Sequence, residues 1–277
     1  MKKIIASFDG LRLSESTMEY ATFLAKECDA HLVGIFLSES TRLGYAVYAA
    51  LVRQTFDGNQ LLAEIEKSDA IAMNKAMEAF EEYCQNSKIS YSLHRDKKNA
   101  LNELLHETLF ADLLIIDAWE TFSYLEANLP GWFIKNVLHE THCPVLVVPK
   151  KFMPIKKLVF LYDGSPSSIL AIKMFNYILP ELTKLETQLL SAKGESLSMN
   201  LPDDNLLKEW INRHSSHTKY NVMRGGEKDI SKLLSSEDSN CLVVLGAYHR
   251  SQFSMWFHDS LANILMRTTR TPVFIAH

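Results

Sequence analysis

Short apolar runs recur along the chain, separated by stretches in which apolar positions return every three or four residues. The runs suit parallel strands buried on both faces, and the stretches between them suit amphipathic helices. The pattern predicts a strand over residues 2–8, then a helix with Met18, Ala21, Leu24, Ala25 and Cys28 on its apolar face, then a strand over residues 31–37. Ser14 or Ser16 can cap that helix, and Ser16 with Glu19 has the capping-box spacing. Further helices are predicted over residues 60–86 and 99–110, with a third strand over 87–94 between them and a solvated loop over 94–98. Residues 112–149 then supply a strand, a helix and a closing strand.

After a short linker at 150–154 the pattern restarts. Residues 156–179 parallel residues 2–25, and Asp163-Gly164 matches Asp9-Gly10 at an offset of 154. Ser165-Pro166 is a helix start, with proline at the first helical position. Strands are predicted over 187–192 and 217–223, and helices over 205–214 and 228–234. The run from Cys241 to Leu245 is a buried strand closed by Gly246, followed by a loop, a helix over 259–268 and a last strand over 273–276. Asp112 matches Cys241 at an offset of only 129, so the first half carries 25 extra residues, most of them placed at 38–58. Each half therefore alternates strand and helix through five strands. That predicts an α/β protein of two tandem doubly wound parallel sheets, one in residues 1–150 and one in 155–277. Ligands in such sheets bind at the carboxyl ends of the strands, where the strand order switches. Asp163 and Gly246 end the first and fourth strands of the second half, and Asp9 ends the first strand of the first half.

Composition narrows the classes. A chain of 277 residues, 47% hydrophobic, has ample material for a core and a length that suits about two domains. The net charge is −4 with acids and bases mixed, so no basic face recommends a nucleic-acid partner. The opening MKKIIASFDG lacks the long apolar region of a signal peptide, and no run approaches the length of a membrane span. Cys28, Cys84, Cys143 and Cys241 are widely spaced, which fits a reducing cytoplasm and neither a zinc site nor a disulfide framework. His139 and His142 share a helix side but no HExxH pattern, and read as a surface helix end; His214 and His217 have no stronger claim to a metal. There is no G-x-S-x-G elbow and no GxxxxGK[ST] loop, and Gly225-Gly226 reads as a turn.

Two Asp-Gly strand ends, each followed by a unit that closes in CPVLVVP or TPVFIAH, resemble the universal stress protein family. The resemblance spans nearly the whole chain, as two copies in tandem. It is sharpest at VFLYDGSPSS (159–168) and LVVLGAYHRS (242–251). It implies a Rossmann-like, adenine nucleotide α-hydrolase-like fold with sheet order 3-2-1-4-5 in each half. It also implies pairing of the halves through their fifth strands as an intrachain pseudo-dimer.

Many members of the family bind ATP through G-x-x-G-x(9)-G-[ST] after the fourth strand. Glycines there let backbone approach phosphate, and the hydroxyl sits at a helix N-terminus. Gly246 matches the first glycine and Ser260 the last position, with Arg250 and Ser251 in a frequent continuation of the loop. His249 and Asp259 stand where the other two glycines belong. In the first half Asp117 and Glu120 replace glycines, Pro130-Gly131 stands for Gly-Ser, and Glu126 adds another acid, a set that should reject a triphosphate unless a metal intervenes. The expected nucleotide site is therefore a degenerate one in the second half, built from Asp163, Gly246, His249, Arg250, Ser251 and Ser260, with Asp9 as the weaker first-half equivalent. The bland alternative is that Asp-Gly only turns the chain and that the loop is a solvated connection with a helix cap.

The expected function is a cytoplasmic stress-response binding and signalling module with at most a degenerate site for ATP or AMP, with Mg²⁺, otherwise no cofactor, and an unidentified protein as partner. No nucleic-acid partner and no membrane are expected, and homodimerisation is left open. The alternative is an ATP-binding protein with slow ATPase or phosphotransfer activity. A response-regulator-like receiver is disfavoured because neither half has the full acidic cluster with a lysine at the fifth strand.

Overall fold

In the computed structural model, which describes residues 2–10, 13–38, 58–96, 99–120, 129–193, 200–215, 217–236, 240–246, 261–268 and 270–277, the apolar runs become strands of one sheet. The first half contributes β1 (Lys3–Asp9), β2 (His31–Leu37), β3 (Tyr91–Asp96), β4 (Leu113–Asp117) and β5 (Val145–Val148). The second contributes β6 (Lys157–Leu161), β7 (Glu186–Lys193), β8 (Thr218–Arg224), β9 (Cys241–Gly246) and β10 (Val273–Ala276). The order across the sheet is β3-β2-β1-β4-β5-β10-β9-β6-β7-β8. Each half thus reads 3-2-1-4-5 from its outer edge, with parallel neighbours throughout. The two five-stranded sheets join edge to edge through their fifth strands, as the resemblance implies: β5 and β10 pair antiparallel, with Val273 opposite Val147, Phe274 opposite Leu146 and Ile275 opposite Val145. All residues of these two strands are buried, so neither could stand as an open edge.

Helices cover both faces. On one lie α1 (Glu15–Glu27), α2 (Gly58–Ser87), α5 (Pro166–Ile178) and α6 (Asp204–His214). On the other lie α3 (Ala100–Thr108), α4 (Trp132–Glu140), α7 (Glu227–Ser236) and α8 (Leu261–Thr268). Strand residues alternate between the two cores: Ile4, Ala6 and Phe8 face α1 and α2, while Ile5 faces α3 and α4. Phe8 stacks on Phe36 at 5.2 Å, and Phe80 of α2 meets both edge-on. Both cores run unbroken from one half into the other.

Local signals decide the helix ends. Ser14 is the N-cap of α1 and accepts the Thr17 N–H. Ser16 lies inside the first turn, buried, and its hydroxyl donates to the Pro149 carbonyl at 2.6 Å, so the Ser16–Glu19 capping box does not form. The α2 pattern runs one turn's end further than expected, to Ser87. Lys88 then takes a left-handed conformation (φ 55°) and Ile89 N–H reaches back to the Cys84 carbonyl, a Schellman-type stop. This delays β3 to residue 91, and Arg95 and Asp96, expected in the loop after the strand, join it. The 150–154 linker crosses α1: Phe152 packs edge-on to Tyr20 at 4.6 Å, and the Tyr20 hydroxyl donates to the Met153 carbonyl. The insertion placed at 38–58 lies outside the described residues except at its two ends.

Candidate functional site

At the carboxyl ends of β6 and β9, where the strand order of the second half switches, the structure opens a crevice of about 330 Å³. Its walls are apolar: Leu161 from β6, Leu190 and Ala192 from β7, Leu245 from β9, Ile230 from α7, and Leu261 and Ala262 from α8. Asp163, Ser168, Gly225, Gly226, Glu227 and Gly246 add polar groups to its lining. An apolar cleft with a few convergent polar groups is the usual shape of a small-molecule site.

Asp163 leaves the end of β6 and turns onto the start of α5. Its Oδ1 accepts the Ser165 N–H at 2.8 Å, and Ser165, the N-cap, accepts the Ser168 N–H with its hydroxyl. Partial burial raises the Asp163 carboxyl, but bonds from Ser165 and Ser168 outweigh it and hold the group below the ordinary value. Gly164 has φ +89°, and an added Cβ would lie 2.7 Å from Pro202, so both the turn and the close approach require glycine.

Gly246, the first glycine of the loop pattern, has a packing role of its own. A Cβ there would sit 2.3 Å from the backbone of Ser167 and 2.6 Å from the Ser168 nitrogen. The bare backbone thus lets the start of α5 lie directly against the end of β9. The structure brings Asp163 and Gly246 to one crevice. His249, Arg250, Ser251 and Ser260 lie outside the described residues, as does Asp259.

The β8–α7 connection, read from the sequence as a plain turn, is the part of the rim that sequence reasoning missed. Gly225 has φ +131° and carries the chain against Asp229, whose Oδ2 accepts the Gly226 N–H at 3.0 Å. That places Glu227 and Ile230 at the crevice. The Gly-Gly pair with an acid three residues on was the available signal; it needed the sheet order to acquire a position.

The first half is built differently at the matching strand ends. Asp9 is only 3% exposed. The Met73 side chain of α2 lies over Gly10, where a Cβ would meet its sulfur at 2.2 Å. The Asp117 carboxylate, in the place of Gly246, accepts the Ser14 hydroxyl and the Trp119 N–H, each at 2.8 Å. An acid expected to repel phosphate is thereby a tie between β4 and the cap of α1. Glu120 is buried, and Gly131 begins α4 without a side-chain cap; Glu126 lies outside the described residues. The Lys150 ammonium sits 3.8 Å over the Trp119 ring.

His142 lies past the end of α4, which stops at Glu140, so it does not share a helix side with His139, and it contacts Thr108; His214 stacks on Trp210 at 4.0 Å. Among the described residues no group of three or more His, Cys, Asp or Glu could hold a metal ion, and no helix is long and apolar enough to cross a membrane. The four cysteines are free thiols.

No family model matches the sequence, and neither does any curated protein. Solved structures do. A universal stress protein from Archaeoglobus fulgidus superposes with a TM-score of 0.72 at 13% identity, over 99% of this chain and 97% of that one. A putative universal stress protein from Pseudomonas aeruginosa gives 0.58 at 14% identity, over 99% and 92%. A functionally unknown protein, also from Pseudomonas aeruginosa, gives 0.58 at 13% identity over the same shares. With identities this low the likeness is one of architecture, and it holds from end to end: this chain has the fold of the universal stress proteins.

Proposed function

We propose that the protein is a stress-response binding and signalling module whose second half holds an adenine nucleotide or nucleoside, without strong catalysis of its own. The observation that carries this reading is the apolar crevice at the switch point of the second half, with Asp163 and Gly246 in its lining. The walls suit a flat heteroaromatic ring, and Asp163 offers an acceptor for a ring amine or a sugar hydroxyl. ATP or AMP fits this crevice in part. The base and sugar have matching surfaces; the described lining holds no lysine or arginine for a phosphate chain. Arg250, which follows Gly246 in the sequence, is the candidate for such a cation. The first half, with Asp9 buried and Asp117 tied to Ser14, serves as scaffold.

Calorimetric titration with adenosine, AMP and ATP, with and without Mg²⁺, tests the reading. Ala192→Phe fills the crevice from β7 and should abolish saturable binding, while Arg250→Ala with Ser260→Ala tests the loop. Absence of saturation by every adenine ligand at millimolar concentration would refute an adenine site, and the chain would then be an interaction scaffold.

A further inference from the structure

The two halves can be laid residue on residue at the face where the crevice opens. In the first half Ser7 of β1 lies opposite Ile35 of β2, and in the second Leu161 of β6 lies opposite Leu190 of β7. Leu37 therefore stands where the second half has Ala192. The ends of α4 and α8 and the starts of β5 and β10 share an offset of 128, so Phe133 stands where the second half has Leu261. At both positions the first half carries the larger side chain, and burial differs in the same sense. Leu37 is 0% exposed and Phe133 4%, packed in one core with Ile35 and Ile116. Ala192 and Leu261 are partly exposed and line the crevice. Ser7 is smaller than its counterpart Leu161, yet it is fully buried, so neighbouring side chains close over it. On the same face of the same architecture, side-chain volume fills the first half and leaves the second open.

We propose that Ala192 and Leu261 are the residues that confine ligand binding to the second half, which takes one flat-ring ligand per chain. This rests on the reading of the crevice as a ligand site and names what selects the half. The crevice, at about 330 Å³, lies near the lower end of the range for small-molecule sites, so a few carbon atoms decide whether a ring enters. Close-packed surroundings have little slack to take those atoms up. Neither position is charged, so the selection is steric and acts on the ring whatever group the ring carries.

The test counts binding sites on the intact protein by calorimetry with two probes, adenosine and indole, the second an uncharged fused ring that asks nothing of Asp163. The wild type should bind one equivalent of either. Ala192→Leu with Leu261→Phe gives the second half the side chains of the first and should weaken binding roughly a hundredfold or more. The first half packs these same side chains in the same fold, so the variant should melt cooperatively and no lower than the wild type. Should the double variant fail to fold, either single substitution carries the test with a smaller loss of affinity. Two equivalents bound by the wild type, or undiminished binding in a folded variant, would overturn the proposal. Indole bound once and lost in the variant, with adenosine not bound at all, would uphold the proposal and remove the adenine reading. Saturation by neither probe would overturn both.

Discussion

A methyl group at position 246 would sit 2.3 Å from the Ser167 backbone, so Gly246→Ala must push β9 and the start of α5 apart. Overpacking of this kind costs roughly 1–3 kcal/mol. Urea denaturation should show that loss with no ligand present; an unchanged midpoint would mean the two elements separate freely. At Lys88 the expectation has the opposite sign. Its left-handed backbone (φ 55°) is strained for a side-chain-bearing residue, and Lys88→Gly should raise stability by about 1 kcal/mol. Burial pushes the Cys84 and Cys143 thiols up to about 12. At neutral pH a thiolate-selective reagent should therefore leave both unmodified in the native protein and label them once urea unfolds it; rapid labelling of either in the native state would contradict the burial described. Gly246 could be read from the sequence as a strand end. Its contact with Ser167 could not, because the backbone lying against a glycine depends on sheet order and not on neighbours in the chain.

The start of the α5 helix borders the crevice and can be tested apart from any ligand. Ser165→Ala removes the acceptor for the Ser168 N–H and should cost about 1 kcal/mol. Asp163 adds a pH dependence of known sign. Its folded-state carboxyl lies below the ordinary value of 3.8, so its contribution is present above that value and is lost as pH falls through the lower folded one. Because the side chain is exposed, solvent screening keeps the effect small. The stability difference between wild type and Asp163→Asn should be greatest near neutrality and vanish at strongly acid pH; a difference that grows with acid would reverse the assignment. At this scale much of the architecture was legible. Apolar periodicity located the strands and helices, and Ser165-Pro166 marked the start of α5. Where boundaries moved, a specific competing contact won. Pro149 claimed Ser16, and the left-handed stop at Lys88, one residue past the expected helix end, displaced β3. The helix caps Ser14 and Ser165 also differ by 151 in number, not 154, because the first half spends three more residues between its Asp-Gly and its helix.

The sheet order came from the resemblance rather than from periodicity, which cannot say which strands are neighbours. The rim from β8 to α7 was missed for that reason. We propose that residues 1–150 and 155–277 each form one domain and that the β5–β10 pair keeps them soluble. Residues 1–150 produced alone would bare the wholly apolar β5, and sedimentation should find them dimeric or aggregated. A stable monomer would argue that β5 is covered in some other way. The antiparallel seam has one more consequence. Were the halves separate identical chains, every substitution at the end of β4 would appear in both, and dilution could part them. Joined in one chain, they hold each other at fixed stoichiometry whatever the concentration, and a change in one is not copied into the other. Asp117 can lock its strand end to Ser14 while Gly246, its counterpart across the seam, stays bare beside an open crevice.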